Sequence, residues 1–570
     1  MKSSPASLTS VLLFGLVVST SCASAPTINS GTSGGQQPLV APTSKKTLIL
    51  INGADTPSFA NKKLNDQGGA VRSHGYQILN AGFAYNDERS APFPVLAAAL
   101  PQLNTDTWRV FPDGKMETVF RLKPNLTWHD GHPMTADDWT FSWSVYSNPV
   151  FGQSKIGGLS YVEDVAISDP RAVVLRWRQP YADAVNDTAI LPPLPRHILE
   201  QSYQNLDAPA FAALPFWKAE YVGAGPFRVE RDEPGAFFEA TAFDGFALGR
   251  PKIDKLRMVH IADVNTVVAT LLSGDGHLAI QGNLYGEDGI TLEKQWRGHG
   301  GTVLYEPISA RSMEFQMRPD LAVPIQLATD IRVRQAIAYS LDRLALNDAV
   351  NAGKGLVRDA YLNPTAEHAD AVLSAIPERY RYDIRRAEQL LNEAGFNRGA
   401  EGSWATPSGQ RFTFEHWYLP SSNNEREAAI MMDGLRGFGI DASAQVFGSE
   451  RSLQDRVTRP GMFGFTLESP TSLHSREIAS AATRWVGGNL GYVNPEMDRI
   501  IDAYNGTLSP SDRIQQQIQM EQIAMSDMPV LPMYWVPRVV GFVAGLQGVV
   551  KNHDARAGIE RRIWEWSWAS

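Results

Sequence analysis

Strand-like and helix-like patterns of apolar residues alternate from Thr47 to the C-terminus, and this alternation limits the fold more than any other feature. The run Thr47-Leu48-Ile49-Leu50-Ile51 begins it with a short apolar strand. Such alternation is typical of the α/β class, in which helices pack on the faces of a sheet. At 570 residues the chain is too long for one ordinary core, so we expect about two or three structural units.

The stretch 117–146 shows the alternation most clearly. Residues 117–122 have the pattern of a strand, and a helix pattern follows. Thr135 and Asp138 form a T-x-x-D sequence that is typical of a capped helix start. Aromatic residues recur on that helix at i, i+4 and i+7: Trp139, Trp143 and Tyr146. This spacing predicts a buried stripe of the core and not a ligand site.

Three later helices are indicated by residues at their ends. After Asp330, apolar residues share one face: Val333, Ala336, Ile337, Leu341 and Leu344. Polar residues lie off that face: Arg332, Arg334 and Gln335. Residues 383–395 repeat apolar positions with helical spacing, and Gly395 stands where a C-terminal cap belongs. Asn494-Pro495 combines an N-cap residue with proline in the first turn.

Residues 1–25 have the features of an export signal. Lys2 is the only charged residue before Ala25, and the apolar stretch 11–18 follows it. A membrane-spanning helix needs about 20 apolar residues, so this shorter stretch predicts a signal peptide. No later stretch of the sequence is apolar and long enough to span a bilayer. We therefore expect an exported protein.

Cys22 is the one cysteine of the chain, so it cannot form an internal disulfide. The run Val18-Ser19-Thr20-Ser21-Cys22 resembles a bacterial lipobox, although Ser19 stands where leucine is usual. Cys22 is thus a candidate lipid anchor. Ala23-Ser24-Ala25 offers an ordinary signal-peptidase site instead, so lipid anchoring and free secretion both stay open. Residues 26–46 contain almost no large apolar residue, which predicts a flexible linker.

The charge of the chain limits its partners. Its net charge is −9 at pH 7, and an acidic surface repels nucleic-acid phosphates, so we exclude nucleic acid as a partner. Hydrophobic residues make up 43% and charged residues 20%, which is typical of a soluble globular protein.

The sequence lacks the familiar motifs of catalysis and metal binding. It has no H-E-x-x-H, no paired C-x-x-C and no G-x-S-x-G. His129, Asp130 and His132 are neighbours, but they fall on a turn-forming stretch where we expect no metal. Residues 223–226 lack the third glycine of a dinucleotide fingerprint and indicate the entry to a strand. We expect no cofactor and no enzymatic activity.

Six elements of the sequence resemble, in the same order, the signature elements of the family 5 bacterial extracellular solute-binding proteins. They are Phe120-Arg121-Leu122-Lys123-Pro124 with Trp128-His129-Asp130-Gly131 and Thr135-Ala136-Asp137-Asp138, Val222-Gly223-Ala224-Gly225-Pro226-Phe227, Arg332-Val333-Arg334-Gln335-Ala336-Ile337, residues 387–396, Asn494-Pro495-Glu496-Met497-Asp498, and Pro529-Val530-Leu531-Pro532-Met533-Tyr534. The resemblance covers about residues 47–540.

The resemblance implies an α/β fold with two lobes, like the periplasmic binding proteins of type II and their large cluster C. Lobe I would comprise residues 47–303 and 534–570, with an extra subdomain at about 86–210, and lobe II residues 304–533. A hinge of crossing strands would join them, with the ligand between. The implied function is capture of a solute for an ABC permease in the membrane. The implied protein is a monomer in the cell envelope, lipid-anchored or periplasmic.

The resemblance also suggests residues for the ligand. Peptide-binding members commonly hold the peptide's amino group with a lobe II aspartate before the "NPE" element. The corresponding stretch 465–471 has no aspartate, so Glu468 is the candidate for that role. Aromatic faces suit sugar rings and peptide side chains alike, which makes Trp417, Trp485 and Trp535 candidates. We expect a peptide or oligosaccharide-like solute and rank nickel chelates lower, because the histidines are scattered.

Two other functions stay open. An exported hydrolase of glycans or peptides would show turnover that one carboxylate substitution abolishes. A receptor of the same fold could instead report to a sensor or act as a chaperone of exported chains. Permease and ATPase genes beside this one would favour transport.

Overall fold

The apolar run at Thr47 forms the first strand, β1 (Thr47–Asn52), as predicted. The computed structural model describes residues 47–569 apart from 56–57, 63, 65–75, 89, 153–156, 186–189, 281–283, 367, 378, 449–457, 466–468, 475–490 and 552–557. The predicted signal peptide (1–25), its Cys22 and the linker (26–46) lie outside these residues.

The other strands of the described residues follow in chain order. They are β2 (Ala84–Asn86), β3 (Pro92–Pro94), β4 (Trp108–Val110), β5 (Met116–Arg121), β6 (Val162–Asp169), β7 (Ala172–Trp177), β8 (Phe227–Glu233), β9 (Phe237–Ala242), β10 (Lys255–His260), β11 (Leu278–Ala279), β12 (Thr302–Phe315), β13 (Asn397–Arg398), β14 (Trp404–Ala405), β15 (Thr413–Tyr418), β16 (Asp441–Val446), β17 (Met462–Phe465), β18 (Val530–Phe542), β19 (Leu546–Gln547) and β20 (Ser567–Trp568).

Helices separate these strands. They are α1 (Tyr76–Leu79), α2 (Ala136–Tyr146), α3 (Arg196–Asn205), α4 (Ala208–Ala212), α5 (Val264–Ser273), α6 (Gly286–Gln295), α7 (Gln326–Thr329), α8 (Ile331–Ser340), α9 (Arg343–Asn351), α10 (Ala369–Ser374), α11 (Ile384–Glu393), α12 (Ser422–Phe438), α13 (Pro495–Gly506) and α14 (Pro510–Asp527).

One large sheet organises the chain. Within the described residues it has ten strands in the order β16-β15-β17-β12-β18-β11-β1-β10-β9-β8. The two strands in its middle, β12 and β18, are 14 and 13 residues long and pair antiparallel along almost their whole length. Among the described strands, they are the only connection through the sheet between the five strands from β11 to β8 and the three strands from β16 to β17.

Two large clusters of buried side chains lie on either side of this central pair. Core I contains residues of β1, β8, β9 and β10, the last residues of β18, and the C-terminal residues Leu546, Ile559, Ile563, Trp564 and Trp566. Core II contains residues of β15, β16 and β17 and the first residues of β18. The predicted two-lobed α/β fold is therefore confirmed, and each lobe has a large core.

A separate sheet of four strands, in the order β4-β5-β7-β6, lies within the range predicted for the extra subdomain. Its strand β5 and the helix α2 confirm the strand-helix pattern at 117–146. The Asp138 carboxylate accepts the backbone N–H of Thr135 at 3.0 Å, so the predicted helix cap forms. Trp139 and Tyr146 are both 0% exposed, as expected for core aromatics.

The helix predicted after Asp330 differs from expectation in two respects. The chain leaves the helical conformation at Leu341, where φ is −101° and ψ is 117°, and a new helix, α9, begins at Arg343. Leu344 consequently turns away from core II and is 67% exposed. Arg334, expected off the apolar face, is 4% exposed because its guanidinium donates to backbone carbonyl oxygens of Leu327, Asp527 and Met528.

Candidate functional site

The strand directions define two edges that face each other. β17 is antiparallel to β12 and pairs with its last four residues, while β15 and β16 run parallel to β17. β11 is antiparallel to β18 and pairs with its last residue, while β1 and β10 run parallel to β11. The carboxyl ends of β15, β16 and β17 thus point toward lobe I, and those of β1, β10 and β11 toward lobe II. We call these ends the lobe II edge and the lobe I edge.

The central pair spans the space between the edges. β11 is attached at Phe542, opposite Thr302, and β17 is attached from Ser312, opposite Pro532. The ladder between these points is about 30 Å long at roughly 3.4 Å per residue. In open α/β sheets, ligands bind in the crevice outside the carboxyl ends of the strands. The crevice between the two edges is therefore the candidate site.

The ladder that bridges the crevice has a weak point in its middle. Pro307 and Pro537 are directly opposite each other, and the register shifts between Pro307 and Ser309. Proline has no backbone N–H and cannot donate to a ladder. Neither proline can therefore donate a backbone hydrogen bond at this point, about halfway between the lobes.

A charged cluster lies at the lobe I edge. Lys218 Nζ is 2.8 Å from Asp55 Oδ1 and 3.4 Å from Asp232 Oδ1, and His260 Nε2 is 3.2 Å from Asp55 Oδ1. Burial opposes the charge on Asp55, but hydrogen bonds from Lys218 and the Gly235 N–H lower its pKa overall. Burial raises the pKa of Asp232 and lowers that of His260. The Asp55 cluster thus satisfies its charges largely within lobe I.

The lobe II edge has an aromatic surface. Trp417 lies near the carboxyl end of β15, at this edge. It is half-buried against a small apolar cluster that is separate from core II and consists of Leu419, Phe447 and Phe463. The Arg459 guanidinium lies over the Trp417 ring, 4.9 Å from its centroid. Trp417 Nε1 donates to Glu415 at 3.0 Å. The Trp417 ring, which also packs against Phe447 with centroids 5.2 Å apart, is partly exposed.

A buried ionic network supports the lobe II edge. Arg311 Nε on β12 donates to the Glu427 carboxylate of α12 at 2.8 Å, and the Tyr534 hydroxyl of β18 donates to the same carboxylate. A Cβ on Gly464 of β17 would lie 2.8 Å from an Arg311 nitrogen, so glycine leaves room for the guanidinium. Burial, and then the nearby Arg311 charge, lowers the pKa of His416 to about 3. This histidine is neutral at physiological pH.

The structure places two of the four candidate ligand residues. Trp417 lies at the lobe II edge, as described. Trp535 lies in the middle of β18, is 2% exposed, and exchanges backbone hydrogen bonds of 2.8 and 3.1 Å with Leu356. Glu468 and Trp485 lie outside the described residues. The ligand role of all four stays a prediction.

Sequence reasoning missed the Asp55 cluster and the Arg311 network. Arg311 and Glu427 are 116 positions apart, and only the fold brings them together. Asp55 lies three residues after the end of the first strand, so its place near a strand's carboxyl end was the one signal that could have identified it.

Nowhere in the described ranges do three or more His, Cys, Asp or Glu side chains converge as metal ligands. None of the helices in those ranges combines the length and the apolar character needed to cross a membrane.

Comparison with known proteins gives consistent matches. The family model of bacterial extracellular solute-binding proteins, family 5 Middle, matches residues 99–475. The oligopeptide-binding protein AppA of Bacillus subtilis is 24% identical over 472 residues, which cover 78% of this chain and 80% of AppA. NikZ from Campylobacter jejuni, solved in complex with Ni(L-His), has a TM-score of 0.71 at 21% identity. The match covers 92% of this chain and 99% of the NikZ chain. AppA of Bacillus subtilis, solved with a nonapeptide, has a TM-score of 0.68 at 20% identity, with coverage of 92% and 99%.

Proposed function

Because the chain belongs to family 5 of the bacterial extracellular solute-binding proteins, we propose that it captures its solute in the crevice between the lobe I and lobe II edges. It works outside the cytoplasm with an ABC permease, as the family does. The observation that carries the proposal is the opposed orientation of the two edges across the β12–β18 ladder. A ligand that touches both edges binds the closed arrangement better than the open one, and so favours closure.

The lobe boundaries belong to the same proposal. We assign residues 47–303 and 534–570 to lobe I, with the extra subdomain at about 86–210, and residues 304–533 to lobe II. The division of buried side chains between core I and core II supports this assignment. The facing Pro307 and Pro537 lie close to both proposed boundaries in the ladder, and they are the expected place of bending.

The alternatives have less support. The relatives and structural neighbours are named as binding proteins, which does not favour an exported hydrolase. Long incubation of a bound compound with the protein should return it unmodified if the protein is a receptor.

The ligand class proposed here is a peptide or an oligosaccharide-like solute. Relatives are named as oligopeptide- and dipeptide-binding proteins, which supports peptides. Neighbours of the same fold were solved with Ni(L-His) and Fe(III)-EDTA, so the fold also accepts metal chelates. Trp417 is partly exposed at the lobe II edge, and an aromatic ring there suits either a peptide side chain or a sugar ring.

A thermal-shift panel of peptides, oligosaccharides and nickel chelates is expected to show stabilisation by one class. A ligand at about a hundred times its Kd adds about 2.7 kcal/mol to the folded state. For the compound that shifts the melting temperature, Trp417→Ala is expected to raise the Kd about fivefold or more, since loss of an aromatic contact at a binding surface costs over about 1 kcal/mol. Calorimetry measures this change.

Tyr382→Ala is the matched control, because Tyr382 is an aromatic residue of lobe II that is 53% exposed and outside the lobe II edge. Equal losses in both variants would contradict a site at Trp417. For a peptide ligand, Glu468→Gln should weaken binding of the free peptide but not of its N-acetylated form. Equal weakening of both forms would exclude Glu468 as the partner of the amino group.

We further propose that residues 1–25 direct export and that Cys22 carries the lipid anchor of a monomeric protein. The lipobox-like run at Cys22 supports this, together with the extracytoplasmic location of the family. Several acyl chains hold a protein stably at a membrane, whereas one is marginal. Mass spectrometry of the protein isolated from its host should find an acylated Cys22 as the first residue. An unmodified N-terminus at Pro26 would instead show free secretion.

A further inference from the structure

A turn in the extra subdomain is joined to the start of α14 by an ion pair. Arg513 Nη1 and Nη2 donate to the two carboxylate oxygens of Asp183 at 3.0 and 3.3 Å. The Arg513 and Asp183 side chains are 18% and 29% exposed. Two parallel charge-assisted hydrogen bonds fix the relative orientation of their partners and are stronger than neutral ones.

An aromatic ring holds the arginine of the pair in place. The Arg513 guanidinium lies over the Tyr504 ring, 4.4 Å from its centroid. Burial opposes the charge of Arg513, but the hydrogen bond and attraction to Asp183 raise its pKa overall. Asp183 follows Tyr181, whose ring stacks on Tyr161 with centroids 4.9 Å apart. The Arg513 side chain is therefore held by both Tyr504 and Asp183.

The elements that carry the pair belong to different cores. Asp183 precedes Ala184, which is buried in core I. Arg513 lies on α14, whose buried face belongs to core II through Met520, Ala524 and Met525. The pair is thus a bridge between the two lobes, formed by residues 330 positions apart.

Apolar and backbone contacts run beside the ion pair. Leu508, between α13 and α14, packs against core I although its helices belong to core II. A Cβ on Gly506 would lie 3.9 Å from the carbonyl oxygen of Pro180. Residues 506–513 and 180–184 therefore form a continuous contact between the lobes.

A second set of contacts between the lobes lies beside the hinge strand. Arg426 Nη1 is 2.8 Å from Glu287, and Lys354 Nζ is 3.5 Å from Glu293. Lys354 also lies over the ring of Tyr305 on β12, 4.2 Å from its centroid. Because Lys354 touches the ladder about which the lobes turn, its contacts can persist when they rotate. The contacts described for Arg513 and Asp183 involve neither β12 nor β18, so they have to break when the cores separate.

We propose that the Arg513–Asp183 pair holds the two lobes together and shifts the resting population toward the closed arrangement. The pair thereby sets how often the crevice opens to a solute, and its biological meaning rests on the proposed function. Loss of the pair lowers the closed population before any ligand binds.

Single-molecule energy transfer on the whole chain tests this proposal. Dyes are placed on Val150→Cys of the extra subdomain and Leu344→Cys of lobe II, which are 56% and 67% exposed in the wild type, with Cys22→Ala to remove the native thiol. Without added ligand, Asp183→Asn and Arg513→Gln are each expected to lower the closed-to-open ratio about tenfold, the effect of about 1.4 kcal/mol. The charge-exchanged variant Asp183→Arg/Arg513→Asp should return part of the closed population.

Asp254→Asn is the control, because it breaks a 2.7 Å ion pair with Arg250 inside lobe I. A ratio within twofold of wild type in both single variants, at unchanged melting temperature, would overturn the proposal. A shift of equal size in the control would do the same. Since no ligand is added, this result is independent of the thermal-shift panel: either experiment can fail while the other succeeds.

Discussion

Replacing Arg538 with methionine is expected to lower the free energy of unfolding by about 3–5 kcal/mol. Arg538 on β18 is directly opposite Glu306 on β12, and its Nε donates to the Glu306 carboxylate at 2.7 Å. Their side chains are 1% and 0% exposed. Methionine fills similar space but leaves the Glu306 carboxylate buried without its cation. Burial raises the pKa of the Glu560 carboxyl, and the Arg538 charge offsets part of this rise. Glu560 therefore also loses a favourable neighbour.

Urea unfolding at neutral pH, followed by circular dichroism, measures this loss. The double variant Glu306→Leu/Arg538→Met should recover most of it, because two apolar residues replace the pair without leaving a buried charge. Arg250→Met is the surface control: its ion pairs with Asp244 and Asp254 are largely exposed, so it should cost less than about 1 kcal/mol. A similar small loss in Arg538→Met would show that the ladder does not depend on its ion pair.

The second large effect concerns pH. Burial raises the pKa of Glu521 from 4.5 to about 7, although the backbone N–H groups of Tyr361 and Leu362 donate to its carboxylate. The folded state therefore holds this proton more tightly than the unfolded state. The stability that the neutral carboxyl provides is complete below about pH 4.5 and is lost as the pH rises through about 7. At about 1.4 kcal/mol per pH unit, the full loss is about 3 kcal/mol.

Glu521→Gln should remove this component, because an amide keeps the hydrogen-bonding oxygen and does not ionise. We expect the variant to be more stable than the wild type at pH 8, by up to about 3 kcal/mol. At pH 4.5 the two should differ by less than about 1 kcal/mol. Urea unfolding across this pH range measures the difference between the unfolding free energies of the two proteins. The contributions of other titrating groups are the same in both proteins and cancel. A difference that is constant with pH would show that Glu521 is not the group responsible.

Local sequence patterns correctly predicted several helix ends, because these are formed by residues that are close together in the chain. Asn494 accepts the backbone N–H groups of Glu496 and Met497, both at 3.0 Å, as its place before a proline suggested. Gly395 has a φ of +83° just after α11, as expected of a C-terminal cap. In these cases the residue and its partner lie within one turn, so the sequence alone contains the interaction.

The same reasoning failed where segments that are distant in the chain determine the surroundings of a residue. Arg334 looked like a surface residue of its helix, but the carbonyl oxygens at the end of α14 approach it and give it partners inside the lobe. The two edges of the crevice also follow from pairing between strands that are far apart in the chain. Trp417 could be named from its place at the end of a strand pattern, whereas the Arg311 network needed the register of β12, β17 and β18.

The contribution of β18 to both cores has a consequence for how the chain is made. Core I takes Val540 and Phe542 from it, and core II takes Val530 and Leu531. Trp566, near the end of the chain, is 0% exposed in core I. Neither lobe can complete its interior until the last forty or so residues have emerged, because contacts between distant segments form late. A chain that lacks β18 therefore leaves both cores incomplete, and we expect neither lobe to reach its native packing without this strand.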